Sequence, residues 1–150
     1  MRTEQEKTST QKIADFADKS LLIVDDDNPF RDRLSRAMEK KGFQVTQAES
    51  VEQGIIQAKK IPPAFAVVDL RLNDGNGLEV VKEIQRIKKT SRIVLLTGYG
   101  NIPTAVAAIK AGAIDYLPKP ADADDVENAL LASPETKAKP PKNPMSADRV

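Results

Sequence analysis

Six side chains carry most of the chemistry this sequence has to offer. Asp25, Asp26 and Asp27 stand together after the apolar run Leu21–Val24, and Asp69 follows Phe65-Ala66-Val67-Val68. Thr97 follows Ile93–Leu96 and precedes Gly98, while Lys119 follows Ile114–Leu117 and precedes Pro120. Carboxylates brought together repel one another, so such a cluster either raises at least one pKa or binds a cation. The chain has neither histidine nor cysteine. With oxygen ligands alone, the matching ion is Mg²⁺, or Mn²⁺ in its place. A carboxylate facing such an ion can attack phosphorus and give an aspartyl-phosphate. The new phosphoryl oxygens then need neutralising: the ion takes one, the Lys119 ammonium can take another, and the Thr97 hydroxyl can donate to a third.

Each of these residues also has a plain structural reading. Three aspartates ahead of Asn28-Pro29 could be a helix-capping loop, and Asp69 could cap a turn. Thr97 before Gly98 is ordinary loop sequence, and Lys119 before Pro120 is ordinarily solvated. None is specific singly; the conjunction is specific, because separate apolar runs each end in a complementary group.

The missing residue types narrow the field further. Without cysteine there are no disulfides, thiolate catalysis, zinc fingers or iron–sulfur clusters, and without histidine there is no serine–histidine triad. No Gly-x-x-x-x-Gly-Lys-Ser/Thr loop occurs, so the chain is not read as an ATPase. Lys+Arg total 23 against 22 Asp+Glu, a net charge of +1, which provides no global field for holding nucleic acid or an acidic membrane. No apolar stretch of about 18 residues is present, and the polar start Met-Arg-Thr-Glu-Gln-Glu-Lys lacks the apolar segment of a secretory signal. A cytoplasmic protein without membrane contact is expected.

The elements that must position these groups alternate along the chain. Of 150 residues, 40% are hydrophobic, enough for one domain with a proper core. Leu21–Val24 reads as a strand buried on both faces. Asn28-Pro29 suits a helix start, with Asn as cap and Pro in the first turn. Phe30, Leu34, Ala37 and Met38 then recur at helical spacing until Gly42. A second strand, Gln44–Ala48, is followed by a Ser50-capped helix through Val51, Ile55 and Ala58 that ends before Pro62-Pro63. Phe65–Val68 is a third strand, and Leu78, Val81, Ile84 and Ile87 stripe the next helix. Ile93–Leu96 is a fourth strand, Ile102–Ala111 a helix closed by Gly112, Ile114–Leu117 a fifth strand and Ala121–Leu131 a last helix. Five βα units in a row predict a doubly wound, five-stranded parallel sheet with helices on both faces. In such a sheet, sites lie outside the carboxyl ends of the strands, where the six residues fall. The pattern does not give the strand order. Ile13 and Phe16 could pack as a short amphipathic turn, but residues 1–19 read as a loose tail, 20–132 as the domain, and 133–150, rich in proline, as an extended linker.

The motifs Leu-Ile-Val-Asp-Asp-Asp (22–27), Val-Val-Asp (67–69) with Gly77 downstream, Leu-Thr-Gly (96–98) and Asp-Tyr-Leu-Pro-Lys-Pro (115–120) resemble those of response-regulator receiver domains. These have the chemotaxis-regulator-like (flavodoxin-like) fold of two-component signalling. The resemblance covers about residues 20–131. It implies that Asp69 is the phosphoacceptor, served by a sensor histidine kinase. It also implies that Asp26 and Asp69 bind Mg²⁺ directly and Asp25 mostly through water, with the Arg71 backbone carbonyl completing the protein ligands. Thr97 and Lys119 would hold the phosphoryl group, the Lys119–Pro120 bond would be cis, and Tyr116 would occupy the switch-aromatic position. Arg71 and Tyr99, two beyond the acceptor and two beyond the threonine, would flank the path of attacking water and slow loss of phosphate. Such a protein catalyses only its own phosphorylation and dephosphorylation.

Leu72-Asn73 stands where many receivers have Met-Pro. Asp-Leu-Arg-Leu-Asn-Asp-Gly-Asn-Gly-Leu (69–78), Leu-Thr-Gly-Tyr-Gly-Asn-Ile-Pro-Thr-Ala (96–105) and the tail Pro-Met-Ser-Ala-Asp-Arg-Val are similar to one subgroup. That subgroup is the alphaproteobacterial global redox and photosynthesis regulators of the RegA/PrrA/ActR type. It implies a linker leading to a helix-turn-helix DNA-binding domain beyond Val150, and a phosphorylation-dependent homodimer. The alternative is a stand-alone receiver acting by protein–protein interaction. A haloacid-dehalogenase-type phosphatase would need Asp-x-Asp-x-Thr/Val after the first strand, and Asp25-Asp26-Asp27-Asn28-Pro29 lacks the Thr/Val. A receiver with a dead acceptor site does not fit the full set Asp25, Asp26, Asp69, Thr97 and Lys119.

Overall fold

Every strand expected from an apolar run is present in the computed structural model, which describes residues 12–98 and 102–132. The strands are β1 (Ser20–Val24), β2 (Gln44–Ala48), β3 (Phe65–Asp69), β4 (Arg92–Thr97) and β5 (Asp115–Pro118). The helices are α1 (Asn28–Lys40), α2 (Val51–Lys60), α3 (Gly77–Ile87), α4 (Ile102–Lys110) and α5 (Ala123–Leu131). The order across the sheet is β2-β1-β3-β4-β5, with every neighbouring pair parallel. The chain runs from β1 to one side and then crosses back past it to β3. The carboxyl ends of β1 and β3 therefore form the topological switch point where a doubly wound sheet opens a crevice. Asp25 and Asp69 stand at those two ends.

Strand periodicity divides the core in two. Leu22, Val24, Ala66, Val68, Ile93 and Leu95 face one side and pack with Val51, Ala58, Val80, Val81, Ile84, Ala105 and Ala108 of α2, α3 and α4. Leu21, Ile23, Phe65, Val67, Val94 and Leu96 face the other, with Phe30, Leu34 and Met38 of α1 and Val126, Ala129 and Leu130 of α5. Side chains of the three central strands are thus covered on both faces, as their unbroken apolar runs require.

The starts of α1, α2, α3 and α5 are capped by side chains. Ser50 accepts from the Gln53 N–H at 3.0 Å, Asn76 from Leu78 at 2.8 Å and Asp122 from Asp125 at 2.9 Å. At α1 the sequence reading shifts by one residue. The cap is Asp27, not Asn28: Asp27 is extended (φ −87°, ψ 99°) and accepts from the Phe30 N–H at 3.1 Å, leaving Asn28 and Pro29 in the first turn. At the far end of α1, Gly42 takes φ +112°, a left-handed conformation that glycine adopts at little cost.

Two features depart from the loose-tail and βα reading. The loose-tail reading of residues 1–19 fails over 12–19. A single 3-10 turn, Ile13–Asp15, buries Ile13 and brings Phe16 edge-on to Phe65, with ring centroids 5.2 Å apart. Phe43 meets Phe65 from another direction at 5.3 Å. The Arg92 guanidinium lies 5.1 Å from the Phe16 ring centroid, and its Nη1 donates to the carbonyls of Leu130 and Ala132, each at 3.2 Å. Aromatic edge-to-face packing and a cation over a ring hold this short segment where its own length would not. The second feature is a small antiparallel hairpin, Arg71–Leu72 with Gly75–Asn76, between β3 and α3. At its turn, the Asp74 carboxylate accepts from the N–H groups of Val51 (2.8 Å) and Glu52 (3.1 Å), fastening the hairpin to the start of α2. The proline-rich segment 133–150 and Tyr99 lie outside the described residues.

Candidate functional site

The site is assembled at the carboxyl edge of the sheet. Asp25 follows β1 directly and is fully buried; its backbone N–H donates to the Ala48 carbonyl at 3.0 Å. One Asp25 oxygen accepts from the Asp27 N–H at 2.9 Å, so the turn into α1 orients the carboxylate. Asp26 is half-buried. Asp69 is the last residue of β3 and is buried, with one oxygen accepting from the Arg71 N–H at 3.1 Å. One oxygen from each of Asp25, Asp26 and Asp69 lies within 4.8 Å of the others.

Lys119 reaches this cluster from the end of β5. Its ammonium lies 3.0 and 3.3 Å from the two Asp25 oxygens and 3.0 Å from an Asp69 oxygen. Its backbone N–H donates to the Thr97 carbonyl at 2.9 Å, tying the β5 end to the β4 end, and the Lys119–Pro120 bond is cis. Three carboxylates against one ammonium leave an excess of negative charge in a partly buried crevice. An all-oxygen donor set with that excess fits a hard divalent cation such as Mg²⁺ or Mn²⁺.

The electrostatics agree with this crowding. Burial pushes the Asp69 carboxyl above its ordinary pKa and the neighbouring Asp25 charge pushes the same way; the Arg71 N–H and Lys119 oppose them without cancelling the shift. For Lys119, burial works against the charged form, but the hydrogen bonds to Asp25 and Asp69 outweigh it, and the pKa is raised. The residue is an ammonium at any working pH.

Thr97 is buried at the end of β4, and its hydroxyl donates to the Gly98 carbonyl at 3.0 Å rather than to Asp69. A Cβ built on Gly98 would meet nothing within 4 Å beyond its chain neighbours, so a side chain there has open space. Arg71 places its N–H on Asp69 while its side chain is exposed. Tyr116 is partly buried against the core on the α2–α4 face. Asp25, Asp26, Asp69 and Lys119 thus form one cluster, Thr97 and Arg71 adjoin it along the backbone, and Tyr116 stands on the neighbouring strand pair.

Three further residues shape the site. Gly77 opens α3 so close to β3 that an added Cβ would sit 2.2 Å from the Asp69 carbonyl oxygen; only a residue without a side chain lets the helix start there. Its place downstream of Val-Val-Asp (67–69) was the signal for it. Asp74 gave no signal, since its partners Val51 and Glu52 lie in another element. Phe30, read from spacing as a core residue, also has the Lys119 ammonium 4.9 Å from its ring centroid.

Among the described residues no helix is long and apolar enough to cross a membrane. The sequence profile of the response regulator receiver domain matches residues 21–131. The photosynthetic apparatus regulatory protein RegA of Rhodobacter capsulatus is 61% identical over 134 residues, covering 89% of this chain and 73% of RegA. The acid tolerance regulatory protein ActR of Rhizobium meliloti is 60% identical over 133 residues, covering 89% of this chain and 69% of ActR. Among solved structures, a response regulator from Burkholderia pseudomallei holding a phosphorylated aspartic acid, a calcium ion and citrate is 37% identical with a TM-score of 0.72. That match covers 75% of this chain and 66% of the other. FixJ-N is 32% identical with a TM-score of 0.67, covering 77% and 92%. The matched stretch begins in β1 and ends in α5, spanning the whole sheet and the acid cluster at its edge, and the chain belongs to the response regulator receiver domain family.

Proposed function

We propose that this receiver takes a phosphoryl group from a sensor histidine kinase onto Asp69 and uses the resulting change of shape to control transcription. The observation that carries the reading is the Lys119 ammonium bridging Asp25 and Asp69 at 3.0 Å within a three-carboxylate cluster. An Asp69 carboxylate oxygen attacks the phosphorus of the kinase phosphohistidine. The P–O bond forms as the P–N bond breaks, and the electron pair returns to the imidazole. Lys119, already beside Asp69, neutralises one phosphoryl oxygen, and the Thr97 hydroxyl turns from the Gly98 carbonyl to donate to another. A Mg²⁺ ion held by Asp26 and Asp69, by Asp25 through water and by the Arg71 carbonyl would supply the remaining positive charge; Mn²⁺ suits the same ligands.

Movement of Thr97 leaves space beside β4, and Tyr116 turns inward to fill it, altering the face made by α4, β5 and α5. That face serves a phosphorylation-dependent homodimer, and residues 133–150 lead on to a DNA-binding domain, in keeping with the regulatory names of RegA and ActR. Arg71 and Tyr99 shield the phosphoryl group from water, and Arg71→Ala and Tyr99→Ala should each speed its loss with no partner present. The protein works in the cytoplasm and catalyses only its own phosphorylation and dephosphorylation.

Intact mass after incubation with Mg²⁺ and acetyl phosphate tests the central step. The wild type should gain one phosphoryl group, and a chelator should stop the gain. Asp69→Asn should gain none; uptake by that variant at the wild-type rate would remove the assignment. Thr97→Ala should still be phosphorylated without changing its self-association, and a normal phosphorylation-dependent association would sink the proposed coupling.

A further inference from the structure

The Lys119 ammonium has two kinds of neighbour. One is carboxylate: two oxygens of Asp25 and one of Asp69, at 3.0–3.3 Å. The other is the Phe30 ring, with its centroid 4.9 Å away. A cation at that distance from a ring face is attracted by the ring quadrupole, and more strongly where water is partly excluded. Phe30 is 8% exposed and the Lys119 side chain 22%, so the contact is largely out of water. An aliphatic side chain in place of Phe30 would fill the space without attracting the charge.

The ring is held by the same turn that holds the acid. The Phe30 N–H donates to the Asp27 carboxylate at 3.1 Å, and the Asp27 N–H donates to the Asp25 carboxylate at 2.9 Å. The Arg31 guanidinium closes the turn from behind, donating to the Asp25 carbonyl at 2.7 Å. Asp25 and Phe30 therefore approach Lys119 as one rigid piece.

The two kinds of neighbour differ in what else they must do. If Asp69 is the nucleophile, as proposed above, the ammonium must pass from the Asp69 oxygen to a phosphoryl oxygen as the new P–O bond forms. The four-carbon stem of Lys119 is flexible, and an ammonium changing partners has many rotamers open to it. The Phe30 ring is the contact that takes no part in this exchange. We propose that Phe30 is a positioning residue for phosphoryl transfer, its ring holding the Lys119 ammonium over the crevice while the carboxylates engage the metal and the phosphoryl group. This inference rests on the proposed function of the site and adds a residue that the acid-cluster chemistry does not require.

The test replaces Phe30 in the full chain with phenylalanines carrying one, two and three ring fluorines, which weaken the quadrupole while nearly preserving shape. Phe30→Leu serves as the non-aromatic limit. Intact mass gives the rate of phosphorylation at saturating acetyl phosphate, and a titration gives the half-saturating Mg²⁺ concentration. The rate should fall stepwise with each fluorine, reaching about three- to tenfold below the parent for the trifluorinated ring and for Phe30→Leu. Half-saturating Mg²⁺ and the melting temperature of the fluorinated series should not follow that trend. A parent that takes up phosphate with a rate flat across the fluorine series overturns the role of Phe30 alone. A rate that tracks melting temperature instead of fluorine count does the same. A parent that takes up no phosphate overturns both this inference and the function on which it rests.

Discussion

The two ends of the sheet are built on opposite principles. At the carboxyl ends, Asp25, Asp69 and Thr97 are buried, and one ammonium serves two of the acids. At the amino ends, Phe16 and Phe43 meet Phe65 edge-on, Ile13 is buried, and the partly buried Arg92 has a ring beneath it and carbonyls to donate to. The first end holds repulsion that a ligand can relieve; the second has little left to gain. Strands of about five residues set these ends roughly 17 Å apart. At that separation an electrostatically costly edge and a well-packed one can be altered independently, because changes at distant sites add.

The largest expected effect lies at the packed end. Phe65→Ala removes the common partner of two aromatic pairs at a position 1% exposed, and should cost about 3–5 kcal/mol in urea unfolding. Acetyl phosphate should still modify the fraction that remains folded. A cost under about 1 kcal/mol would mean that the amino end is not where stability resides.

Next in size is the response to metal. Mg²⁺ at a hundredfold excess over its Kd should stabilise the protein by about 2.7 kcal/mol, since it binds the folded site alone. The increment should survive Phe65→Ala and shrink in Asp69→Asn. If Phe65→Ala abolishes it while the variant is still folded, the two ends are coupled and the comparison breaks.

A smaller effect concerns the acids without metal. Burial sets the folded pKa of Asp69 above its unfolded value, so in the window between the two the folded state binds more protons. Stability from this group is present below the window and lost as pH rises through it. Asp69→Asn should therefore melt higher than the wild type at neutral pH in chelator, and the difference should close as pH falls toward the ordinary aspartate range. An unchanged or lower melting temperature would mean that the loss of Lys119's partner outweighs the relief.

The smallest expected effect sharpens the comparison within the carboxyl end. Asp74 is also a carboxylate there, but the Val51 and Glu52 N–H groups hold its pKa down. Its stabilisation is present above the unfolded pKa and lost as pH falls through the folded one, the opposite sign to Asp69. Asp74→Asn should lower the melting temperature modestly at neutral pH and make no difference in strong acid. If its pH profile runs parallel to that of Asp69→Asn, the hairpin is not fastened to α2 through that carboxylate.

What the sequence revealed depended on where the information lay. Leu21–Val24, Phe65–Val68 and Ile93–Leu96 announce buried strands because each run is apolar throughout, and Asp25, Asp69 and Thr97 stand out because each follows such a run. Strand order was not legible, since the same pattern serves a strand in any position of the sheet. Asp27 and Asn28 are adjacent residues of equal capping ability, and only backbone angles separate them. Ile13 and Phe16 suggested a short amphipathic turn, with nothing local to show that Phe16 would meet Phe65. Asp74 binds N–H groups 22 and 23 residues earlier, a contact that no local spacing encodes. Phe30 was legible as core and not as a neighbour of Lys119, because helical periodicity reports a face and not the charge that lies against it.

Arg92 bears on how this domain can be moved between proteins. One guanidinium stacks on a ring that precedes β1 and holds the carbonyls where the chain leaves α5, so the entrance and exit of the module share one fastening. A graft whose boundaries follow the family match, 21–131, would discard the ring and one of the two carbonyls together. A graft that reaches back past Phe16 and forward past Ala132 keeps the fastening, and with it the direction in which α5 hands the chain to whatever is fused behind it.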